Sequence, residues 1–206
     1  MTAITIIGSC NMATSIGTRA TKHGHDVELV SRDAAKAQAV ADQIGTGATV
    51  GTFGAAPQGD IVVLAVLHQG AVEVVTSYGE ALAGKILLDI TNPFNADATG
   101  LVTAPGSSVS KEIAAAAPAS AHVVKAFNTI FGGVLDQDAP VDAFFAGDGA
   151  EAKARVSAFL ESMHLRPLDA GGLEMAAALE WSGILLVGLA RSGAGFDLAL
   201  GADVPK

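Results

Sequence analysis

Short, uninterrupted apolar runs alternate with longer segments of helical spacing in the first half of the chain. Residues 3–7 (AITII), 60–67 (DIVVLAVL) and 84–91 (GKILLDIT) are runs of this kind. Their length and composition are typical of strands buried on both faces of a parallel sheet. In residues 11–23 apolar side chains recur at every fourth position and Gly24 follows, which predicts a helix that ends at a glycine.

The same alternation continues far enough to define a fold class. Further strands are predicted at residues 25–32 and 48–51, and further helices at 34–44 and 71–82. Strands that alternate with helices of this length form parallel sheets with right-handed crossovers. The sequence therefore predicts an α/β protein with a Rossmann-type, doubly wound, mainly parallel sheet and a small C-terminal extension.

After residue 92 the alternation loosens, which predicts a second, smaller unit. We expect a nucleotide-binding Rossmann domain over residues 1–120 and a smaller strand and helix portion over residues 121–206 that completes the cleft. The last predicted helix, residues 173–191, has few polar positions. A helix that is apolar all round is buried, either against its own sheet or against a second subunit. A homodimer is therefore one of two arrangements left open.

Composition limits the classes of partner. Of the 206 residues 50% are hydrophobic and 16% charged, and the formal net charge is −9. Nucleic acid is not expected as a partner, because binding its phosphates requires a basic face. A single cysteine excludes an internal disulfide and is typical of a reducing compartment. The sequence starts without a signal-peptide pattern, and its apolar runs are shorter than the ~20 residues of a membrane span, so we expect a cytoplasmic protein with no membrane partner.

Residues 6–13 (IIGSCNMA) resemble a dinucleotide-binding loop, whose pattern is G-x-G-x-x-G. Gly8 occupies the first glycine position, Cys10 the second, and Ala13 the third, where alanine is accepted. Such loops hold phosphates through backbone N–H groups and the helix dipole, which do not depend on side-chain identity. We interpret the stretch as a pyrophosphate loop lined by Cys10. A plain strand-to-helix turn and a reactive Cys10 thiol are the alternatives.

The end of the second predicted strand indicates which nucleotide would bind. NAD-preferring proteins place an acidic residue there to hold the ribose hydroxyls. This chain has Ser31 and Arg32 instead, with Lys36 one helical turn later. A hydroxyl, a guanidinium and an ammonium group suit a 2′-phosphate. The residues therefore favour NADP(H), and a solvated helix start is the alternative interpretation.

No set of side chains with the spacing of a catalytic or metal site is evident, so neither kind of residue is predicted. His23 and His25 lack a third ligand and are interpreted as a turn. Tyr78 is not followed by a lysine four residues later, which the short-chain dehydrogenase pair requires. His68 is interpreted as a loop residue. Lys125 is left open between a ligand contact and a structural ion pair.

Six motifs occur in an order that resembles a known family. They are GSCNMA, VSRDAAK, VLAVLHQ, LLDITNPFN, VVKAFNT and LRPLDAGGL. In this order they resemble the NADPH-dependent deazaflavin (coenzyme F420) reductases, and VVKAFNT is also similar to the cytosolic reductase domain of six-transmembrane ferric reductases. The resemblance covers nearly the whole chain. It implies that NADPH binds along the carboxyl ends of the strands and exchanges a hydride directly with a deazaflavin or flavin ring.

The resemblance also implies cofactor-binding residues at matching positions. The pyrophosphate would be held by Gly8, Ser9, Cys10, Asn11 and Met12, and the 2′-phosphate by Ser31, Arg32 and Lys36. The path from the adenosine to the ribose would be lined by Ala65, Val66 and Leu67. The nicotinamide would lie near Asn92, Pro93, Ala126 and Asn128. The chain departs from the family pattern at Cys10 and Ala13, which replace glycines. It also departs at Leu67–His68, which replaces a proline and an aromatic residue.

Hydride transfer between two ring systems depends mainly on their apposition, which explains why no catalytic side chain need be evident. We therefore predict an NADPH-dependent oxidoreductase with a deazaflavin or flavin-like acceptor. Two other hypotheses remain: reduction of a small carbonyl or imine, and a non-catalytic NADP-binding redox sensor. The deazaflavin coenzyme carries a phosphate and a glutamate tail, which favour a basic cleft. The second half of the chain has few basic residues, and deazaflavin stays the leading named acceptor.

Overall fold

Eight strands form one sheet in the computed structural model, which describes residues 2–203. Their order across the sheet is β3-β2-β1-β4-β5-β6-β7-β8, and every neighbouring pair is parallel except β6 and β7. The strands are β1 (Ala3–Ile7), β2 (Asp26–Val30), β3 (Ala48–Val50), β4 (Ile61–Leu64), β5 (Ile86–Asp89), β6 (His122–Lys125), β7 (Val141–Gly147) and β8 (Leu165–Asp169). The predicted Rossmann-type, mainly parallel sheet is confirmed.

Helices cover both faces of the sheet. They are α1 (Asn11–Lys22), α2 (Ala34–Ile44), α3 (His68–Tyr78), α4 (Val109–Ala116), α5 (Gly132–Asp136), α6 (Ala150–Ser162) and α7 (Ala176–Leu189). One buried cluster joins the sheet to α1, α2, α5 and α6, and a second joins it to α3 and α4. Both faces of β1, β4 and β5 are therefore covered, which explains their uninterrupted apolar sequences.

The ends of the strands decide where a ligand can bind. The chain adds β2 and β3 on one side of β1 and then returns to add β4 on the other side. The direction in which strands are added therefore reverses between β1 and β4. In open α/β sheets the crevice outside the carboxyl ends of the strands at this reversal is the usual ligand site. Here the loops that follow β1, β2 and β4 meet at that point.

Side-chain caps fix the helix that follows β2. The carboxylate of Asp33 accepts hydrogen bonds from the backbone N–H groups of Ala35 at 3.1 Å and Lys36 at 3.2 Å. These bonds satisfy N–H groups that a helix leaves free in its first turn. As predicted, α2 therefore starts immediately after Asp33, and Ser31, Arg32 and Lys36 lie together at the edge of the sheet.

Four elements differ from the prediction. The strands predicted at residues 60–67 and 84–91 are shorter, because pairing with neighbours ends at Leu64 and Asp89 and the chain then turns into loops. Helix α3 starts at His68 instead of residue 71. Helix α5 was not predicted, since it has five residues and begins with two glycines, which have low helix propensity.

The C-terminal helical stretch continues beyond α7. A 3₁₀ turn at Leu173–Met175 precedes α7, and a π-helical turn at Ala190–Ala194 follows it. By length and composition alone, Leu173–Ala194 could cross a bilayer, although 44% of its most apolar window is buried inside the protein. Core helices of globular proteins meet the same criterion.

The proposed division at residue 120 stays a prediction. The strands after it, β6 to β8, continue the same sheet that the earlier strands begin. Residues 1 and 204–206 of the predicted ranges lie outside the described part of the chain.

Candidate cofactor site

A cavity of about 680 Å³ lies at the carboxyl ends of β1, β2 and β4. Nine of the predicted cofactor-binding residues line it, namely Gly8, Ser9, Cys10, Ser31, Arg32, Lys36, Ala65, Val66 and Leu67. Sequence reasoning missed the contribution of α3 and of Phe53 to the same wall, including Gln69, Gly70 and Glu73. The structure thus brings three separate loops of the sequence into one site.

Gly8 makes the close approach of two of these loops possible. Its backbone has φ +137°, and a Cβ atom there would overlap the carbonyl oxygen of Ala65. A side chain at this position would therefore both strain the backbone and collide with the loop after β4. Its backbone N–H donates to the carbonyl of Val30 at 2.8 Å, which ties the turn to β2.

Cys10 is the N-cap residue of α1, and its side chain makes no capping hydrogen bond to the helix. The Sγ atom donates to the carbonyl oxygen of Ala65 at 3.3 Å, so the thiol bridges the loops after β1 and β4. The first turn of α1 contains no acidic residue. The N–H groups and positive dipole end of α1 are thus available to an anion.

Two cations, each beside a carboxylate, lie at the outer end of the cavity. The side chains of Arg32 and Lys36 are 62% and 72% exposed. Arg32 Nη1 lies 3.4 Å from Glu73 Oε1, and Lys36 Nζ lies 4.0 Å from Asp33 Oδ2. Such exposed pairs are weak and exchange readily with other partners. Both cations are therefore free to turn toward a phosphate group.

A second, smaller cavity of about 110 Å³ lies beyond the α1 N-terminus and is lined by Met12, Asn92 and Asn128 together with aromatic and aliphatic side chains. The two asparagines bond to each other: Asn92 Nδ2 donates to the Asn128 carbonyl and Asn128 Nδ2 donates to Asn92 Oδ1, both at 3.0 Å. Asn128 Nδ2 also donates to the carbonyl of Leu179 in α7 at 2.7 Å.

These bonds leave one polar atom of the pair without a partner. Asn128 Oδ1 is buried and accepts no hydrogen bond within residues 2–203. Because both hydrogens of the same amide are engaged, its orientation is fixed. Asn128 lines the cavity, so a buried acceptor without a partner lies beside it. The other two predicted nicotinamide residues, Pro93 and Ala126, are buried.

A fully buried charge cluster lies where β5, β6 and α7 meet. Lys125 Nζ contacts Asp89 Oδ2 at 3.0 Å and Glu180 Oε1 at 3.3 Å, and donates to the carbonyl of Thr91. Lys125 therefore forms a structural ion pair, which is one of the two interpretations that the sequence left open. Burial raises the pKa of the Glu180 carboxyl, and the nearby Asp89 carboxylate raises it further. The sequence offered no signal for Glu180, which joins the cluster from α7.

The histidines of the H-x-H pair have separate structural partners. His23 Nε2 lies 2.8 Å from Asp138 Oδ1, and His25 Nε2 lies 2.8 Å from Ser162 Oγ. Within residues 2–203, no three His, Cys, Asp or Glu side chains come close enough to hold a metal ion. The two rings therefore hold α1 and β2 to neighbouring elements.

The sheet, the Gly8 turn and the helix N-terminus beside it define a protein with a Rossmann-like α/β fold. Residues 3–93 match the family model described as NADP oxidoreductase, coenzyme F420-dependent. The resemblance inferred from the motifs is confirmed by this match, which covers somewhat less than half of the chain.

Relatives extend the similarity over most of the chain. The F420-dependent NADP reductase of Methanothermobacter marburgensis is 28% identical over 201 residues, covering 88% of this chain and 89% of that protein. Metalloreductase STEAP3 of Rattus norvegicus is 29% identical over 178 residues, covering 85% of this chain. The chain spans 35% of the length of that metalloreductase.

A solved structure shows the same fold over the full length. A crystal structure from Arthrobacter sp. FB24, provisionally assigned as an F420-dependent NADP reductase, superposes with a TM-score of 0.85 and covers 99% of this chain and 100% of its own. At 23% identity this likeness concerns the fold alone.

Proposed function

We propose that the protein transfers a hydride between NADP(H) and a deazaflavin or flavin-like ring. The observation that carries the proposal is the pairing of the Gly8 turn with Arg32 and Lys36 around one cavity. The first of these features suits a pyrophosphate and the second a 2′-phosphate. The similarity to F420-dependent NADP reductases supports the choice of acceptor class.

The residues present fit the whole length of the cofactor. The cavity of about 680 Å³ would hold the adenosine end, with Ser31, Arg32 and Lys36 around the extra phosphate. The backbone of Ser9 to Met12 would hold the pyrophosphate at the start of α1. The cavity of about 110 Å³ would receive the nicotinamide, whose carboxamide N–H can donate to Asn128 Oδ1.

When bound, NADPH supplies the hydride, so the protein's task is to hold and orient the rings. The Asn92–Asn128 pair fixes the acceptor atom, and Met12 and Phe127 provide apolar walls. A ring held in this position loses rotational freedom before the reaction, which is a large part of the barrier in a transfer of this type. No side chain of the site needs to gain or lose a proton for the hydride to move.

Stopped-flow oxidation of NADPH tests the proposal. We expect rapid single-turnover oxidation with at least one of coenzyme F420, FMN and riboflavin, and little with a panel of small carbonyls and imines. Oxidation by the carbonyls or imines alone would overturn the acceptor class. Tight binding of NADPH with no oxidation by any acceptor would overturn the enzyme assignment and favour a redox sensor.

A further inference from the structure

A groove of about 490 Å³ adjoins the proposed nicotinamide cavity on the side of α1 and α5. Met12 and Phe131 line both spaces, so the two are neighbours across these side chains. The groove is larger than the cavity and more open to solvent. It is therefore the space beside the nicotinamide that can receive a second ring.

The groove carries an exposed aromatic residue. Phe196 is 60% exposed, and its ring centroid lies 5.6 Å from that of Phe131 with the planes tilted by 56°. Met12 adds a thioether, which makes favourable contacts with aromatic rings. An exposed phenyl ring beside a half-buried one and a methionine suits a flat aromatic ligand, which would cover the apolar surface left open to water.

Backbone bonds hold the walls of the groove in place. The N–H of Phe131 donates to the carbonyl of Leu198 at 3.0 Å, and the N–H of Leu200 donates to the carbonyl of Thr129 at 2.9 Å. The C-terminal segment that carries Phe196 is thus fastened to the loop after β6. The aromatic pair therefore belongs to a built wall of the groove.

The charge of the groove is negative. Asp136 lines it, and the carboxylate of Asp197 lies against Gly133 in the same wall. Among residues 2–203, those that line the groove include no lysine or arginine. The cations farther along α1 are engaged elsewhere: Lys22 Nζ pairs with Asp138 at 2.7 Å, and the buried Arg19 donates to backbone carbonyls and also faces Asp138.

We infer that the acceptor is a planar ring whose substituents in this groove are uncharged or cationic, rather than a ring with an anionic tail. The inference rests on the proposed function and narrows its acceptor class. In the reaction the acceptor ring gains one hydride and one proton while NADPH becomes NADP⁺. The proton comes from water, because the groove is open to solvent.

Riboflavin and FMN form a matched pair of probes, since they share one ring and differ by a phosphate. Titration by quenching of flavin fluorescence, with and without NADP⁺, would measure their affinities at low salt. We expect riboflavin to bind at least about fivefold tighter, and added salt to narrow the difference because it screens exposed charges. Phe196→Ala should weaken both ligands by a similar factor.

Asp136→Asn should shift the FMN-to-riboflavin affinity ratio toward FMN by about threefold, because it removes one charge near the phosphate. Glu151→Gln, a matched neutralisation at the exposed start of α6, should leave the ratio unchanged. Equal or tighter binding of FMN by the native protein, or an unchanged ratio in Asp136→Asn, would overturn the inference.

The same measurements separate this inference from the proposed function. A preference for riboflavin with no affinity for NADP⁺ or NADPH would support the inferred charge preference of the groove and overturn the cofactor assignment. NADPH oxidation at equal catalytic efficiency with riboflavin and FMN would support the proposed hydride transfer and overturn the inferred charge preference of the groove.

Discussion

Glu73 places a negative charge beside the cations that would hold the 2′-phosphate. Its carboxylate lies 3.4 Å from Arg32 and competes with a phosphate for the same guanidinium. Because the pair is exposed, its contribution is below about 1 kcal/mol. The carboxylate therefore moderates the affinity for NADP(H) without abolishing it.

Removing this competitor should strengthen binding. Glu73→Gln is expected to tighten NADPH binding by about threefold and leave NADH binding almost unchanged, in line with the small value of an exposed pair. Isothermal titration calorimetry measures both affinities. Glu80→Gln, just after α3, is the matched control, and a weaker NADPH affinity in Glu73→Gln would contradict the assigned geometry.

Gly8 allows a second prediction at the residue scale. Gly8→Ala should lower the free energy of unfolding by about 2–4 kcal/mol, since the new methyl group meets the Ala65 carbonyl at a strained φ. Urea denaturation followed by circular dichroism measures the loss. Gly188→Ala in α7, where a Cβ has no neighbour within 4 Å, should be neutral or stabilising.

At the scale of elements, α7 is bound to the sheet by polar contacts as well as apolar packing. Glu180 reaches Lys125 and the backbone N–H of Val109, and the Leu179 carbonyl holds Asn128. The ammonium group of Lys125 and the carboxyl groups of Asp89 and Glu180 are buried together. Burial and the nearby Asp89 carboxylate raise the pKa of the Glu180 carboxyl, because a second negative charge in this cluster is costly to bury.

This cluster predicts a dependence of stability on pH. Because the native pKa of Glu180 is raised, the folded protein holds its proton above the ordinary value of 4.5, where the unfolded chain has released it. The stabilisation is complete below that value and is lost as pH rises through the native pKa. Glu180→Gln should flatten this decline in urea titrations, and an equally steep decline in the variant would assign it to other groups.

At the scale of the whole molecule, α7 leaves a stripe of large apolar side chains exposed to solvent. Trp181, Leu185 and Leu189 are 54%, 54% and 47% exposed along one side of the helix. The one charged residue of α7, Glu180, is buried, so two copies of this acidic chain could approach along α7 without bringing charges of α7 together. We propose that a second copy covers this stripe.

The oligomeric state tests that proposal. Light scattering coupled to size-exclusion chromatography should give a dimer for the native protein and a monomer for Leu185→Glu. Trp181 fluorescence should shift to longer wavelength on dilution as its indole meets water. A native monomer at micromolar concentration, or a dimer that survives Leu185→Glu, would contradict the proposal.

The sequence predicted the parts of the site that depend on local order. The start of α2, the Gly8 turn and the positions of Ser31, Arg32 and Lys36 follow from residues close together in the chain. Glu73 and Glu180 were missed because each meets its partner only through the order of strands, 41 and 55 residues away along the chain. No local pattern marks such residues, since their role exists only once the sheet has formed.

The central claim is that Arg32 and Lys36 bind the 2′-phosphate of NADP(H). The most direct test is calorimetric titration of NADPH and NADH into the native protein and Arg32→Asp. We expect NADPH to bind the native protein at least about tenfold tighter, a difference of about 1.4 kcal/mol, and Arg32→Asp to abolish this preference. Equal affinities in the native protein, tighter binding of NADH, or an unchanged preference in Arg32→Asp would contradict the claim.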